Sequence, residues 1–315
     1  MFLGIDIGGT KCMVAIARDE GSIIARDTLR TPNERGPMAV LSDIEYALKK
    51  LIAENKCDAI KGIGIACGGP LNPYKGTIIR IPNLPGWDGL ELAPYFAKAF
   101  KAPAYLDNDV NIAALGESRV GAGLGLDYVA YLNVGTGVGG GIVINGKVYR
   151  GCGNAGEFGH QVILPDGPPC PCGKRGCLES LCSGTSIARR AREYLTLRQD
   201  GMLVDLAGGD ITKVTGEHVS QAARAGDYLA VRVMRETAEC LGIGMANVIN
   251  ILNPRRFILG GGVMVKNMDL LFDRAAEVAK ERAMTQLAKD VEIVPALLGE
   301  DAGLIGTIYL AREGL

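Results

Sequence analysis

Apolar and polar positions along the chain follow two periods. Phe2–Ile7 is a short apolar run ending in Asp6-Ile7-Gly8-Gly9-Thr10-Lys11, Cys12–Ala17 is a second, and Ser22–Arg26 is a third after Asp19-Glu20-Gly21. Short apolar runs parted by glycine turns predict an antiparallel meander of three strands. From Met38 to Asn55 the period changes, because Val40, Leu41, Ile44, Ala47, Leu48, Leu51 and Ile52 recur at helical spacing. Ala59–Ala66 then reads as a buried strand closing on Gly68-Gly69-Pro70. Ile78–Trp87 holds two prolines that forbid a helix and put Asn83 on a loop. Glu91–Phe100 reads as a short helix.

Pro103–Leu106 is a strand that runs into Asp107-Asn108-Asp109 and a helix from Val110 to about Arg119, with Asn108 or Asp109 where an N-cap belongs. Tyr128–Val134 is again a strand, followed by Gly135-Thr136-Gly137-Val138-Gly139-Gly140-Gly141. The spacing Gly135-x-Gly137-x-x-Gly140 matches a dinucleotide fingerprint, but such a loop must open a helix. Here Ile142–Ile144, Asn145-Gly146 and Lys147–Tyr149 spell strand, type I′ turn, strand. Helices are predicted at Ser183 to about Leu197, Tyr228 to about Leu252 and Ala302–Arg312. Asn253-Pro254 stops the second, and Arg256–Leu259 is a strand ending in Gly260-Gly261-Gly262 before a helix, a turn suited to an adenosine. Residues 201–227 show turn signals and no functional constellation, with His218 read as a surface or packing residue.

Both halves therefore begin with strand–glycine–strand hairpins and continue with alternating helices and strands. This predicts two α/β lobes of similar build with a nucleotide in the cleft between them. The first lobe is expected to comprise 1–115 with 300–315, and the second 116–299.

Composition narrows the function. The 315 residues carry 22% charged side chains and a formal net charge of −1, which leaves no electrostatic footprint for nucleic acid or an anionic membrane. The start of the chain lacks a basic region and its apolar run is broken at Asp6, so neither a signal peptide nor a membrane span is expected. Nine cysteines without a secretion signal point to the cytoplasm.

Chemistry concentrates in three places. In GEFGHQVILPDGPPCPCGKRGCLE, from Gly156 to Glu179, His160 is followed by Cys170, Cys172 and Cys177, with Gly173 and Gly176 to bend the chain. Three thiols and an imidazole at this spacing suit a structural tetrahedral zinc, and Glu157 and Glu179 would then face a ligand. Gly8-Gly9-Thr10-Lys11 can hold a phosphate, with Asp6 facing its magnesium ion. Asp109 at a helix start suits a general base for a hydroxyl group.

Asp6-Ile7-Gly8-Gly9-Thr10-Lys11, Asn108-Asp109, Gly156-Glu157-Phe158-Gly159-His160 and Cys170-x-Cys172-Gly173-x-x-Gly176-Cys177-x-Glu179 together resemble the ROK family (repressors, open reading frames, kinases), across essentially the whole chain. The zinc motif with its flanking glutamates is specific; the glycine loops alone are weak. The resemblance implies an actin-like ATPase fold of two ribonuclease-H-like lobes and phosphoryl transfer from ATP to a sugar hydroxyl. It implies Asp109 as the base, and Gly69, Asn83, Asn108, Asp109, Glu157, His160 and Glu179 as sugar contacts. It assigns Asp6, Gly8, Gly9, Thr10 and Lys11 to magnesium and the transferred phosphate. Gly135, Thr136 and Gly137 go to a second phosphate region, Gly260, Gly261 and Gly262 to the nucleotide, and His160, Cys170, Cys172 and Cys177 to zinc. A homodimer or homotetramer is implied as well.

The family's repressors add an N-terminal winged helix, and with the phosphate hairpin starting at residue 6 none is expected here. Asn83-Leu84-Pro85-Gly86-Trp87 is similar to the glucokinase branch and favours glucose phosphorylated at the 6-hydroxyl. Kinases of N-acetylmannosamine, N-acetylglucosamine, mannose and fructose share the catalytic residues, and polyphosphate or ADP could replace ATP without a mark in the loops. Asn154 stands where the family pattern has a smaller residue, near the wall expected at the sugar's 2-position.

Overall fold

The three N-terminal apolar runs form β1 (Phe2–Ile7), β2 (Lys11–Ala17) and β3 (Ile23–Arg30). β3 runs further than its apolar pattern because it lies at a sheet edge, where alternate positions such as Arg26, Thr28 and Arg30 face solvent. These elements come from a computed structural model that describes the chain except residues 32, 58, 82–83 and 197–200. Then follow α1 (Pro37–Glu54), β4 (Gly62–Cys67), a short hairpin of β5 (Leu71–Asn72) and β6 (Thr77–Ile78), α2 (Leu92–Phe100), β7 (Ala104–Asn108) and α3 (Asp109–Val120). β8 (Val129–Val134), β9 (Val138–Ile144) and β10 (Lys147–Val148) come next. Beyond the cysteine stretch lie α4 (Leu178–Cys182), α5 (Gly184–Leu195), α6 (Met202–Leu206), α7 (Gly216–Arg224) and α8 (Tyr228–Leu252). The chain closes with β11 (Arg256–Gly260), α9 (Gly262–Lys266), α10 (Met268–Arg282), α11 (Thr285–Asp290), β12 (Glu292–Pro295) and α12 (Ala302–Glu313).

The strands build two five-stranded sheets with the same layout, β3-β2-β1-β4-β7 and β10-β9-β8-β11-β12. In the first, β1 pairs antiparallel with β2 and parallel with β4, and β4 pairs parallel with β7. β4 is buried along its whole length, as a central parallel strand must be. Ile44 and Leu48 of α1, Phe96 of α2 and Trp87 all fall in one core with Ile5 and Ile65.

Register decides where the chemistry emerges. Ile7 pairs with Cys67, and Cys67 pairs with Asn108. The turns that start at Gly8, Gly68 and Asp109 therefore leave the sheet at the same carboxyl edge, where α/β sheets bind their ligands. In the second sheet Gly260 pairs with Asn133, so the Gly135 turn and Gly261 also share one edge.

The chain divides into two compact units, one of Met1–Asp127, Gly141–Gly156 and Glu300–Leu315, the other of Tyr128–Gly140 and Glu157–Gly299. The first reaches past the expected limit of residue 115 and takes in 141–156 as well. α3 runs unbroken to Val120, and Arg119 ties its end to Glu313 at 2.6 Å and to the Gly146 carbonyl at 2.7 Å. Among the described residues no helix is long and apolar enough to cross a membrane.

Candidate active site

At the carboxyl edge of the first sheet the Asn108 side chain caps α3, its Oδ1 accepting the Val110 N–H at 2.9 Å and the Asn111 N–H at 3.4 Å. Of the two residues that could have capped the helix, Asn108 does so, and Asp109 becomes its first residue with a solvent-accessible carboxylate. Desolvation by the surrounding protein pushes the Asp109 carboxyl up, while the N–H of Val110, 3.0 Å from Oδ1, works against it. Gly69 lies beside Asn108: a Cβ on it would meet Asn108 Nδ2 at 3.4 Å. Asn83 lies outside the described residues.

Asp6, near the end of β1, is partly buried. Burial first, and then the charge of Asp109, raise its pKa from 3.8 to about 7 against the pull of Lys11. A buried carboxylate whose proton affinity is raised further by the charge of Asp109 makes a place where a divalent cation would be stabilised. The hairpin after Asp6 is closed by Gly8 N–H to the Lys11 carbonyl at 3.0 Å, and Thr31 Oγ1 donates to the Gly8 carbonyl at 2.8 Å. Lys11 Nζ lies 2.8 Å from Glu300 Oε2 in an exposed pair.

In the second unit, the cysteine stretch folds as a small antiparallel knuckle, with bridges between Val162 and Cys177 and between Pro169 and Arg175. Cys170 N–H donates to the Lys174 carbonyl at 2.8 Å and Gly173 N–H to the Cys170 carbonyl at 2.9 Å. This brings ligand atoms of His160, Cys170, Cys172 and Cys177 within 4.8 Å of one another. Cys172 and Cys177 Sγ are 3.7 Å apart, against about 3.8 Å for the edge of a tetrahedron with metal–sulfur bonds of about 2.3 Å. His160 turns Nδ1 to Cys170 Sγ at 3.6 Å and leaves Nε2 3.8 Å from Glu157 Oε2. The donor set and its spacing suit a closed zinc site.

Glu179, in the first turn of α4, sends Oε2 to the N–H of Val138 at 2.9 Å. A Cβ on the neighbouring Gly137 would stand 2.7 Å from the same oxygen, so a side chain there would displace the carboxylate. Gly137 thus serves Glu179, while Gly135 and Thr136 line a cavity of about 750 Å³ in this unit. The turn is held by Gly135 N–H to the Gly137 carbonyl and by Gly184 N–H to the Gly135 carbonyl, both at 2.9 Å.

Of Gly260, Gly261 and Gly262, only Gly262 lines that cavity. Gly261 (φ 90°) lies against β8, where a Cβ would come within 2.5 Å of the Val134 carbonyl oxygen, and Gly260 packs on Tyr131. The cavity's other wall corrects the reading of 201–227, because Thr215, Gly216, Glu217, Ser220, Gln221 and Arg224 all line it. Thr215 caps α7 in a reciprocal bond with His218, whose role is this cap. The signal was available in Thr215-Gly216-Glu217-His218 ahead of the buried positions Val219, Ala222 and Ala223, which together mark an amphipathic helix start. Asn154 is committed through Oδ1 to the Leu71 N–H at 3.2 Å.

The ROK family model matches residues 2–314. A glucokinase of Halalkalibacterium halodurans is 37% identical over 317 residues, covering 99% of this chain and 95% of its own. A ROK family glucokinase from Streptomyces griseus, solved in complex with glucose and AMPPNP, superposes with a TM-score of 0.80 at 34% identity, over 99% of both chains. The ROK hexokinase from Thermus thermophilus superposes with a TM-score of 0.84 at 31% identity, over 98% of this chain and 97% of that one.

Proposed function

The chain belongs to the ROK family, and we propose that it phosphorylates glucose at the 6-hydroxyl. It has the actin-like ATPase fold, with ribonuclease-H-like sheets, and is an ATP-dependent sugar phosphotransferase. The observation that supports the choice of reaction most is Asp109, an accessible carboxylate of raised proton affinity at the N-terminus of α3 beside the Asn108 cap.

In this reading Asp109 accepts the proton of the 6-hydroxyl as O6 bonds to the terminal phosphorus of ATP. The bond from that phosphorus to the bridging oxygen breaks, and ADP leaves. A carboxylate whose proton affinity is raised by burial suits this transfer. Gly69, Asn83, Asn108, Glu157, His160 and Glu179 hold the sugar ring. Phosphoryl transfer needs orientation and charge neutralisation more than covalent help, and in this reading the turns Gly8–Lys11 and Gly135–Gly137 lie at the phosphates. The adenosine occupies the cavity beside Gly262 and α7.

Asp6 would hold magnesium, which supplies neutralisation of the phosphate charge. His160, Cys170, Cys172 and Cys177 would hold zinc, which supplies rigidity and no open coordination position. With Nδ1 turned toward the thiols, His160 keeps Nε2 and Glu157 for the sugar. A cytoplasmic location is part of the same reading. A homodimer or homotetramer belongs to the same reading, and light scattering checks it.

Phosphorus NMR of the product tests the regiochemistry: the reading expects glucose 6-phosphate, and phosphate on any other hydroxyl overturns it.

A further inference from the structure

A buried ion pair lies directly behind the Asp109 turn. Arg150 Nε donates to Asp107 Oδ2 at 2.6 Å, with Arg150 11% exposed and Asp107 0%. The other oxygen of Asp107 accepts the Asn108 N–H at 2.7 Å and Asn111 Nδ2 at 3.1 Å. Asp107 thus spans from the last residues of β7 to the first turn of α3, with both oxygens engaged. The residue it grips by the backbone, Asn108, is the cap that precedes Asp109.

Arg150 contributes more than its charge. Its main-chain carbonyl accepts the N–H groups of Gly153 at 2.7 Å and Ala155 at 3.0 Å. That loop presents Asn154 to the Leu71 N–H, two residues beyond Gly69. One residue therefore connects the Asp109 turn, through its side chain, with the loop that braces the Gly69 strand-end, through its backbone.

Folding alone does not require such a pair. A buried ion pair is commonly replaceable by apolar residues of similar volume without loss of stability, whereas an unpaired buried carboxylate is strongly unfavourable. What an apolar pair could not reproduce is the hydrogen bond to the Asn108 N–H or the compensation of charge two residues from Asp109.

We propose that Asp107 and Arg150 are positioning residues for phosphoryl transfer. The pair fixes the orientation of the Asp109 turn and keeps a second carboxylate from standing uncompensated behind it. The proposal rests on the reading of Asp109 as the base. It acts on the transition state rather than on ground-state binding, because the groups it orients carry the proton transfer.

The test compares the full-length protein with Arg150→Lys, which keeps the charge but not the geometry, and with the neutral pair D107N/R150Q, which leaves no buried charge. Steady-state kinetics with magnesium–ATP and the best hexose are read beside melting temperature. In either folded variant kcat is expected to fall about tenfold to a hundredfold, with KM for both substrates within about threefold of the parent. A kcat within about twofold of the parent in either folded variant overturns the proposal, as does a loss confined to KM or to melting temperature. Should Arg150→Lys not fold, the neutral pair decides by the same criteria. Absence of turnover in the parent protein with every hexose would instead remove the kinase reading on which the proposal rests.

Discussion

The Glu179 carboxylate accepts the N–H of Val138 at 2.9 Å, and its other oxygen lies 3.9 Å from Cys170 Sγ. One side chain therefore joins the cysteine knuckle to the turn whose Gly135 and Thr136 line the cavity. The knuckle is thereby coupled to the glycine turn as well as to the residues expected at the sugar.

Gly137→Ala checks this coupling. A Cβ would fall 2.7 Å from Glu179 Oε2, so the carboxylate must shift and its bond to Val138 is weakened. Turnover is expected to fall, by at most about the hundredfold that a displacement of about 1 Å costs in positioned sites. Glu179→Gln, which keeps an acceptor for Val138, is expected to lose less at this step. Unchanged kcat in Gly137→Ala would show that the contact is incidental.

Asp109→Asn keeps the shape of the first turn of α3 while removing the carboxylate proposed as the base. Its kcat is expected to fall about 10²–10⁴-fold, with glucose and ATP dissociation constants nearly unchanged by calorimetry. Near-normal turnover would remove Asp109 from the mechanism.

Asp6 makes stability depend on pH. Its pKa is raised from 3.8 to about 7, so between those values the folded chain binds more protons than the unfolded chain. Stability from this group is full below about pH 4 and is lost as pH rises through about 7. In the absence of divalent cations, melting temperature measured from about pH 5 to about pH 8 is expected to decline less steeply in Asp6→Asn than in the parent. Equal slopes would contradict the buried carboxyl. Activity is expected to run the other way, rising as Asp6 ionises and can hold a cation.

The knuckle should carry one zinc per chain by elemental analysis. Stripping it with a strong chelator is expected to lower the melting temperature by roughly 5 °C or more and to abolish turnover, with recovery on zinc addition. A metal-free preparation of full activity and unchanged melting would contradict the zinc assignment.

Much of this was legible in the residues because local chemistry specified it. Val40 to Leu51 could bury one face only as a helix, and Asn108-Asp109 behind an apolar run could only begin one. The Cys170–Cys177 spacing brings its ligands together by short turns, with no need of distant contacts. What escaped was set by tertiary context. Asp107 and Arg150 are 43 residues apart and meet only because the strand register and the β9–β10 hairpin bring them together. The α7 wall of the cavity escaped because Thr215, Glu217 and Gln221 are exposed polar residues of an ordinary amphipathic helix, and only their position beside Gly135 and Gly262 gives them a role. Gly260 and Gly261 also lie close against Tyr131 and β8, an approach that the glycine run alone does not reveal.

The central claim is tested most directly by ADP release from magnesium–ATP across glucose, mannose, fructose, N-acetylmannosamine and N-acetylglucosamine, using zinc-replete protein. Strong turnover with glucose and little with the acetylated sugars is the expected result. Preference for an acetylated sugar would contradict the glucose assignment while leaving the phosphoryl transfer in place, and no ADP release with any of the five would contradict the hexokinase account itself.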